Sequence, residues 1–161
     1  MPTDFSIVIS YTGAGLKTPS GIAVDNSGDV WLPNSGNNTV TKLDALGVTA
    51  TDTSGFLSGG SGFTAGSLNL PAAIAIDASG NAWVANSGNS TVSQLDPAGT
   101  GSAVYTGGGL SSPSSIAIDA GGNAWIANEA NSSVTEISAG TLTNYIGAGI
   151  TTPTGIAINP N

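Results

Sequence analysis

Residues 71–96 read PAAIAIDASGNAWVANSGNSTVSQLD. The same pattern stands at Pro19 as PSGIAVDNSGDVWLPNSGNNTVTKLD and at Pro113 as PSSIAIDAGGNAWIANEANSSVTEIS; another copy, PTGIAINPN, starts at Pro153. Self-similarity at intervals of roughly 40–50 residues marks a repeat architecture, in which each copy buries its apolar surface against its neighbours. A second shared element precedes each copy. Tyr11, Phe63, Tyr105 and Tyr145 stand at one constant distance ahead of Ile22, Ile74, Ile116 and Ile156. That register assigns the extra length of the first interval to a loop insertion at about residues 46–62, rich in glycine and serine.

Each copy reads as four short strands. They are predicted at about residues 22–25, 29–33 and 39–44, at 73–77, 81–85 and 91–95, and at 115–119, 123–127 and 133–137. An outer strand carrying the Tyr or Phe completes each set. The first and second strands are joined by D-x-x-G: Asp25 to Gly28, Asp77 to Gly80, Asp119 to Gly122. There the carboxylate accepts turn N–H bonds and the glycine takes the positive φ that follows. The second and third strands are joined by N-S-G-N or its variant, from Asn34, Asn86 and Asn128. Every connection is a hairpin, so each copy is an antiparallel meander. IAI and AWVA are apolar at successive positions, and such a strand must be covered on both faces. The third strands interleave Val, Leu and Ile with Thr, Ser, Lys, Gln and Glu, and are expected to reach water. Four-stranded sheets stacked face to face around an axis make a β-propeller. The predicted class is therefore all-β, a propeller of four-stranded antiparallel blades, incomplete within one chain because three full blades are too few to close. The whole of residues 1–161 forms one array, with repeats at approximately 5–44, 45–96, 97–138 and a partial 139–161. Trp31, Trp83 and Trp125, with Tyr11, Phe63, Tyr105 and Tyr145, are expected to pack between blades.

The pattern P-x-G-I-A-V-D-x-x-G, followed by an aromatic residue and then N-S-G-N-N-x-V, resembles the NHL repeat along the whole chain. The resemblance implies a propeller. NHL repeats commonly place Asp where this chain has Asn34, Asn86 and Asn128, and Arg or Lys where it has Thr39, Thr91 and Ser133. Hydroxyl–amide bonding is expected to replace that ion pair. The basic RNA-binding surfaces of NHL proteins are not reproduced.

Composition excludes several functions. The chain has ten carboxylates against Lys17 and Lys42, a net charge of −8, no histidine and no cysteine. Nucleic acid and anionic membrane surfaces both need Lys or Arg, so neither is an expected partner. No apolar run approaches a membrane span, and disulfides and thiolate metal sites are impossible. Calcium needs six or more converging oxygens, which one aspartate per separated blade does not supply; no metal and no cofactor are expected. Asn37, Asn89 and Asn131 open N-x-[ST] sequons at the same hairpin, possible glycosylation sites that also read as repeated turn chemistry. Propeller lyases and lactonases, which the fold resembles, rely on a metal or on His, Arg and Glu at the central opening. Here Glu129 and Glu136 are the only glutamates, in a turn and an outer strand, and no Ser–His pair can form.

The expectation is a non-enzymatic scaffold or interaction module that self-associates through incomplete propeller ends, as ring or filament. Its terminal strands, about Phe5–Gly13 and Gly155–Asn159, and its end blades would meet copies of itself. The alternative is a fragment of a larger propeller lyase or lactonase whose catalytic blades are missing. A Ser/Thr/Asn/Gly-rich, lysine-poor surface resembles extracellular or cell-surface bacterial proteins. The opening MPTDFSIVIS has no signal-peptide character, so a mature or trimmed chain is expected.

Overall fold

A computed structural model describes residues 12, 13, 15–44 and 56–159. Among them there is no helix, and eleven strands form three antiparallel sheets. The first sheet holds β1 (Ala23–Val24), β2 (Val30–Asn34) and β3 (Thr39–Leu43). The second holds β4 (Pro71–Ile76), β5 (Ala82–Asn86), β6 (Thr91–Leu95) and β7 (Gly101–Thr106). The third holds β8 (Pro113–Ile118), β9 (Ala124–Asn128), β10 (Ser133–Ser138) and β11 (Thr141–Ile146). Each is a simple meander in sequence order, and the second and third run from Pro71 and Pro113 to the strands that carry Tyr105 and Tyr145.

The first sheet differs at its outer edge. Phe63 bridges Val40 as Tyr105 pairs with Val92, and Phe56 bridges Leu43. A turn occupies the residues between Phe56 and Phe63, so the insertion interrupts the fourth-strand position instead of preceding it. Tyr11, most of the terminal strand expected at 5–13, and residues 45–55 of the insertion lie outside the described residues. Residues 155–159 form no ladder.

The sheets stack face to face, and the doubly apolar strands explain how. Along β5 the side chains point alternately to two cores. Ala82 and Val84 join Trp31, Val40, Leu68, Ile74 and Leu95 between the first and second sheets. Trp83 and Ala85 join Val92, Leu110, Ile116, Ala124, Ile126 and Ile137 between the second and third. Two of the third strands, β3 and β6, do not reach water as expected, while β10 alternates buried with half-buried residues. All five residues of β3 are buried, as are four of five in β6, while β7 and β11 are mostly exposed or half-buried. Their polar side chains are satisfied internally. Asn86, fully buried, donates through Nδ2 to Thr91 Oγ1 at 3.2 Å and Ser93 Oγ at 2.8 Å, and its Oδ1 accepts the N–H of Asn69 at 3.2 Å. Asn34 and Asn128 repeat the arrangement with Thr39 and Thr41, and with Ser133 and Thr135. This is hydroxyl–amide bonding between the expected positions.

Candidate functional site

The hairpin that opens each sheet builds the most elaborate polar unit in the molecule. Asp77 Oδ1 accepts the N–H groups of Ser79 and Asn81, both at 2.9 Å. Its Oδ2 accepts the Trp83 indole N–H and the Asn81 amide, also at 2.9 Å. Asp119 makes the same four contacts with Gly121, Asn123 and Trp125. Asp25 does likewise with Ser27, Asp29 and Trp31, but there the fourth donor is a cation: Lys42 Nζ lies 3.1 Å from Asp25 Oδ2. The aspartates are thus turn residues, as their spacing implied. The constant six-residue offset from Asp to Trp is visible in the sequence, but that the carboxylate seats the indole is not.

These contacts set the carboxylate acidities. Burial works against the charged form of Asp25 and Asp77. The indole N–H, with Lys42 or Asn81 and the turn N–H groups, outweighs it and holds both below the usual range. Asp119, seated by the Trp125 indole and the Asn123 side chain, is lowered to about 2.

Every described aromatic of the expected inter-blade set pairs within its own sheet. Trp31 meets Phe63 at 5.7 Å, Trp83 stacks on Tyr105 at 5.2 Å, and Trp125 stacks on Tyr145 at 5.7 Å. Trp31 and Trp83 then enter the core shared with the following sheet. No described sheet follows the third, so Trp125 is half-buried and Tyr145 is 43% exposed. Among the described residues no sheet precedes the first either. Ile22 is 66% exposed, whereas its repeat equivalents Ile74 and Ile116 are 8% and 7% exposed against a neighbouring sheet. The two end faces are therefore unlike, one aromatic and one aliphatic.

The sequon asparagines sit exposed at their hairpins with the amide engaged. Asn37, Asn89 and Asn131 donate through Nδ2 to the carbonyls of Gly15, Ser67 and Gly109 at 2.8, 3.0 and 2.8 Å. Each Oδ1 accepts the sequon hydroxyl of Thr39, Thr91 or Ser133. Among the described residues no group of three or more Asp, Glu, His or Cys is placed to hold a metal, and no helix is long and apolar enough to cross a membrane. Glu129 lies in the β9–β10 turn, and Glu136 on β10 accepts the Tyr145 hydroxyl at 2.7 Å.

Sequence reasoning missed Lys42. It is buried on the face that the first sheet turns to the second, 3.1 Å from both Asp25 and Asp29. Its ammonium lies 4.7 Å from the Trp31 ring centre and donates across the seam to the Pro97 carbonyl at 3.3 Å.

No protein-family model and no curated protein sequence matches the chain. Solved structures do. A catalytically inactive virginiamycin B lyase from Staphylococcus aureus with quinupristin matches at TM-score 0.66 and 17% identity, over 91% of this chain and 47% of that one. Hydrazine synthase of Kuenenia stuttgartiensis matches at TM-score 0.67 and 20% identity, over 94% and 42%. A chain of a nidogen/laminin complex matches at TM-score 0.64 and 18% identity, over 88% and 52%. This chain spans about half the length of those it matches, and the likeness is one of fold alone: the chain has the fold of a β-propeller of four-stranded antiparallel blades, with three sheets among the described residues.

Proposed function

We propose that this chain is a non-catalytic propeller module of NHL-like blades, acting outside the cell, whose two open sheet faces dock end to end on copies of itself. The observation that supports it most directly is the exposure of Ile22, set against the burial of Ile74 and Ile116 at the same repeat position. Apolar surface of this kind is removed from water wherever a Trp-bearing face is present to cover it, and Trp125 with Tyr145 offers such a face at the other end. Two unlike faces make a heterologous contact, which closes into a ring or propagates as a fibre according to its rotation. The absence of histidine, arginine and cysteine from the sequence supports a non-catalytic role. A second reading, a portion of a larger propeller of the lyase kind, draws on the half-length match to virginiamycin B lyase.

Sedimentation equilibrium tests the proposal. The intact chain should exceed 15.6 kDa in a concentration-dependent way, and Ile22→Lys should return it toward that mass with its strand content intact. An intact chain that stays monomeric and cooperatively folded at high concentration refutes self-docking and favours the second reading.

A further inference from the structure

The two seams between sheets differ at their outer edge, and a cavity marks the difference. At that edge of the first seam Asn26 donates to the Ala78 carbonyl at 3.3 Å, and Lys42 reaches the Pro97 carbonyl. In the second seam the equivalent positions are Ala78 and Gln94. Alanine has no donor, and the Gln94 side chain turns to the Tyr105 hydroxyl of its own sheet at 3.4 Å. There a cleft of about 500 Å³ opens, floored by Asp77, Trp83, Gln94 and Tyr105. Its facing wall is built of Ile137 and small residues, among them Gly121, Gly122 and Ala139.

The first seam shows what chemistry this floor accepts. Aspartate, indole and a second aromatic ring recur as Asp25, Trp31 and Phe63; there the Lys42 ammonium lies between the carboxylates of Asp25 and Asp29, the Trp31 ring face and a carbonyl of the next sheet, and Asp29 stands where the second seam has Asn81. In the second seam the carboxylate, indole and aromatic ring are all present, and the 139–140 turn stands where Pro97 stands. The cation is missing. Its place on Asp77 Oδ2 is taken by the neutral Asn81 amide, which leaves the carboxylate charge uncompensated. We propose that this cleft binds a primary alkylammonium group, the ammonium lying on the Asp77–Trp83 edge as Lys42 lies on Asp25–Trp31 and displacing the Asn81 amide. A slim alkyl chain lies over the Trp83–Tyr105 pair, where a ring face attracts a cation and covers the methylenes. The inference is independent of end-face docking, since the cleft lies inside the array.

Three tryptophans provide the test within one molecule. Each indole N–H donates to an equivalent aspartate, so the three signals in a nitrogen–proton spectrum report three sites. Titration with n-butylammonium should move the Trp83 signal saturably, with a dissociation constant on the order of 1 mM. Trp31, already served by Lys42, should not move. Nα-acetyl-lysine N-methylamide is the second probe: equal binding assigns the site to free amines and lysine side chains alike, and tighter binding assigns it to lysine in a polypeptide. Gln94→Lys, which supplies its own ammonium, should weaken either probe at least ~tenfold. Ala78→Asn, which restores the cross-seam side chain, should do so as well. The proposal is overturned if Trp125 moves as much as Trp83, if n-butanol matches butylammonium, if both variants bind unchanged, or if no saturable shift occurs up to ~50 mM.

Discussion

Replacing Asp77 by Asn tests the turn unit most directly. The carboxylate accepts four hydrogen bonds, two on each oxygen. An asparagine can accept on one atom only. With its nitrogen in the Oδ2 place, the Trp83 indole and the Asn81 amide face a donor; with the nitrogen in the Oδ1 place, two turn N–H groups do. Two bonds are lost either way. At about 1 kcal/mol each, for groups partly open to solvent, the substitution should cost about 2 kcal/mol. Asp25→Asn should cost more, since it also removes a partner of the buried Lys42. Asp119→Asn should cost least, because its Trp125 lies on the open end face where water replaces what is lost. Urea unfolding at neutral pH, with the slope unchanged between variants, measures all three. A cost for Asp77→Asn below about 0.5 kcal/mol would show that the carboxylate does not seat the indole, and an equal cost at Asp119 would show that exposure does not set the ranking.

Lys42→Gln alone leaves Asp25 and Asp29 uncompensated in the seam and should destabilise by about 2–4 kcal/mol. Adding Asp29→Asn recreates the Asp77–Asn81–Gln94 set, so the double variant should be closer to wild type than Lys42→Gln, a coupling read from a double-mutant cycle. Trp31→Ala, at a fully buried position between two sheets, should cost about 3–5 kcal/mol, and Trp125→Ala clearly less; chemical denaturation decides the order. Acid should unfold the protein through its turn aspartates. Their folded pKa values lie below the ordinary carboxylate value, so their contribution is complete above about pH 4 and is lost as pH falls through the folded values, near 2 for Asp119. A carboxylate titration of Asp119 with a midpoint at or above the ordinary value of 3.8 would contradict this.

Much of this molecule was legible in one dimension. The recurrence from Pro19, Pro71 and Pro113 located the strands, since D-x-x-G and N-S-G-N are local turn chemistry that operates within a few residues. Unbroken apolar runs such as AWVA announced that a sheet is covered on both sides, because side chains alternate between faces along a strand. The placement of Thr39, Thr91 and Ser133 beside Asn34, Asn86 and Asn128 followed from which partners the repeat lacked. What the third strands do with their polar residues did not follow. Thr41, Ser93 and Thr135, each between apolar residues of its strand, read as solvent-facing, and only the folded sheets show their hydroxyls joining the same buried amides. Lys42 was likewise illegible. Gln94 and Glu136 occupy its repeat position, and a long polar side chain at a strand position is ordinarily solvated. Its burial depends on Asp25 and Asp29 from one sheet and the Pro97 carbonyl from the next, groups up to 55 residues away in sequence. Local turns and strand faces are decided by neighbours along the chain. Seam contacts, the cleft at Trp83 and the open faces at Ile22 and Trp125 are decided by which sheet stands opposite, and that exists only once the blades are stacked.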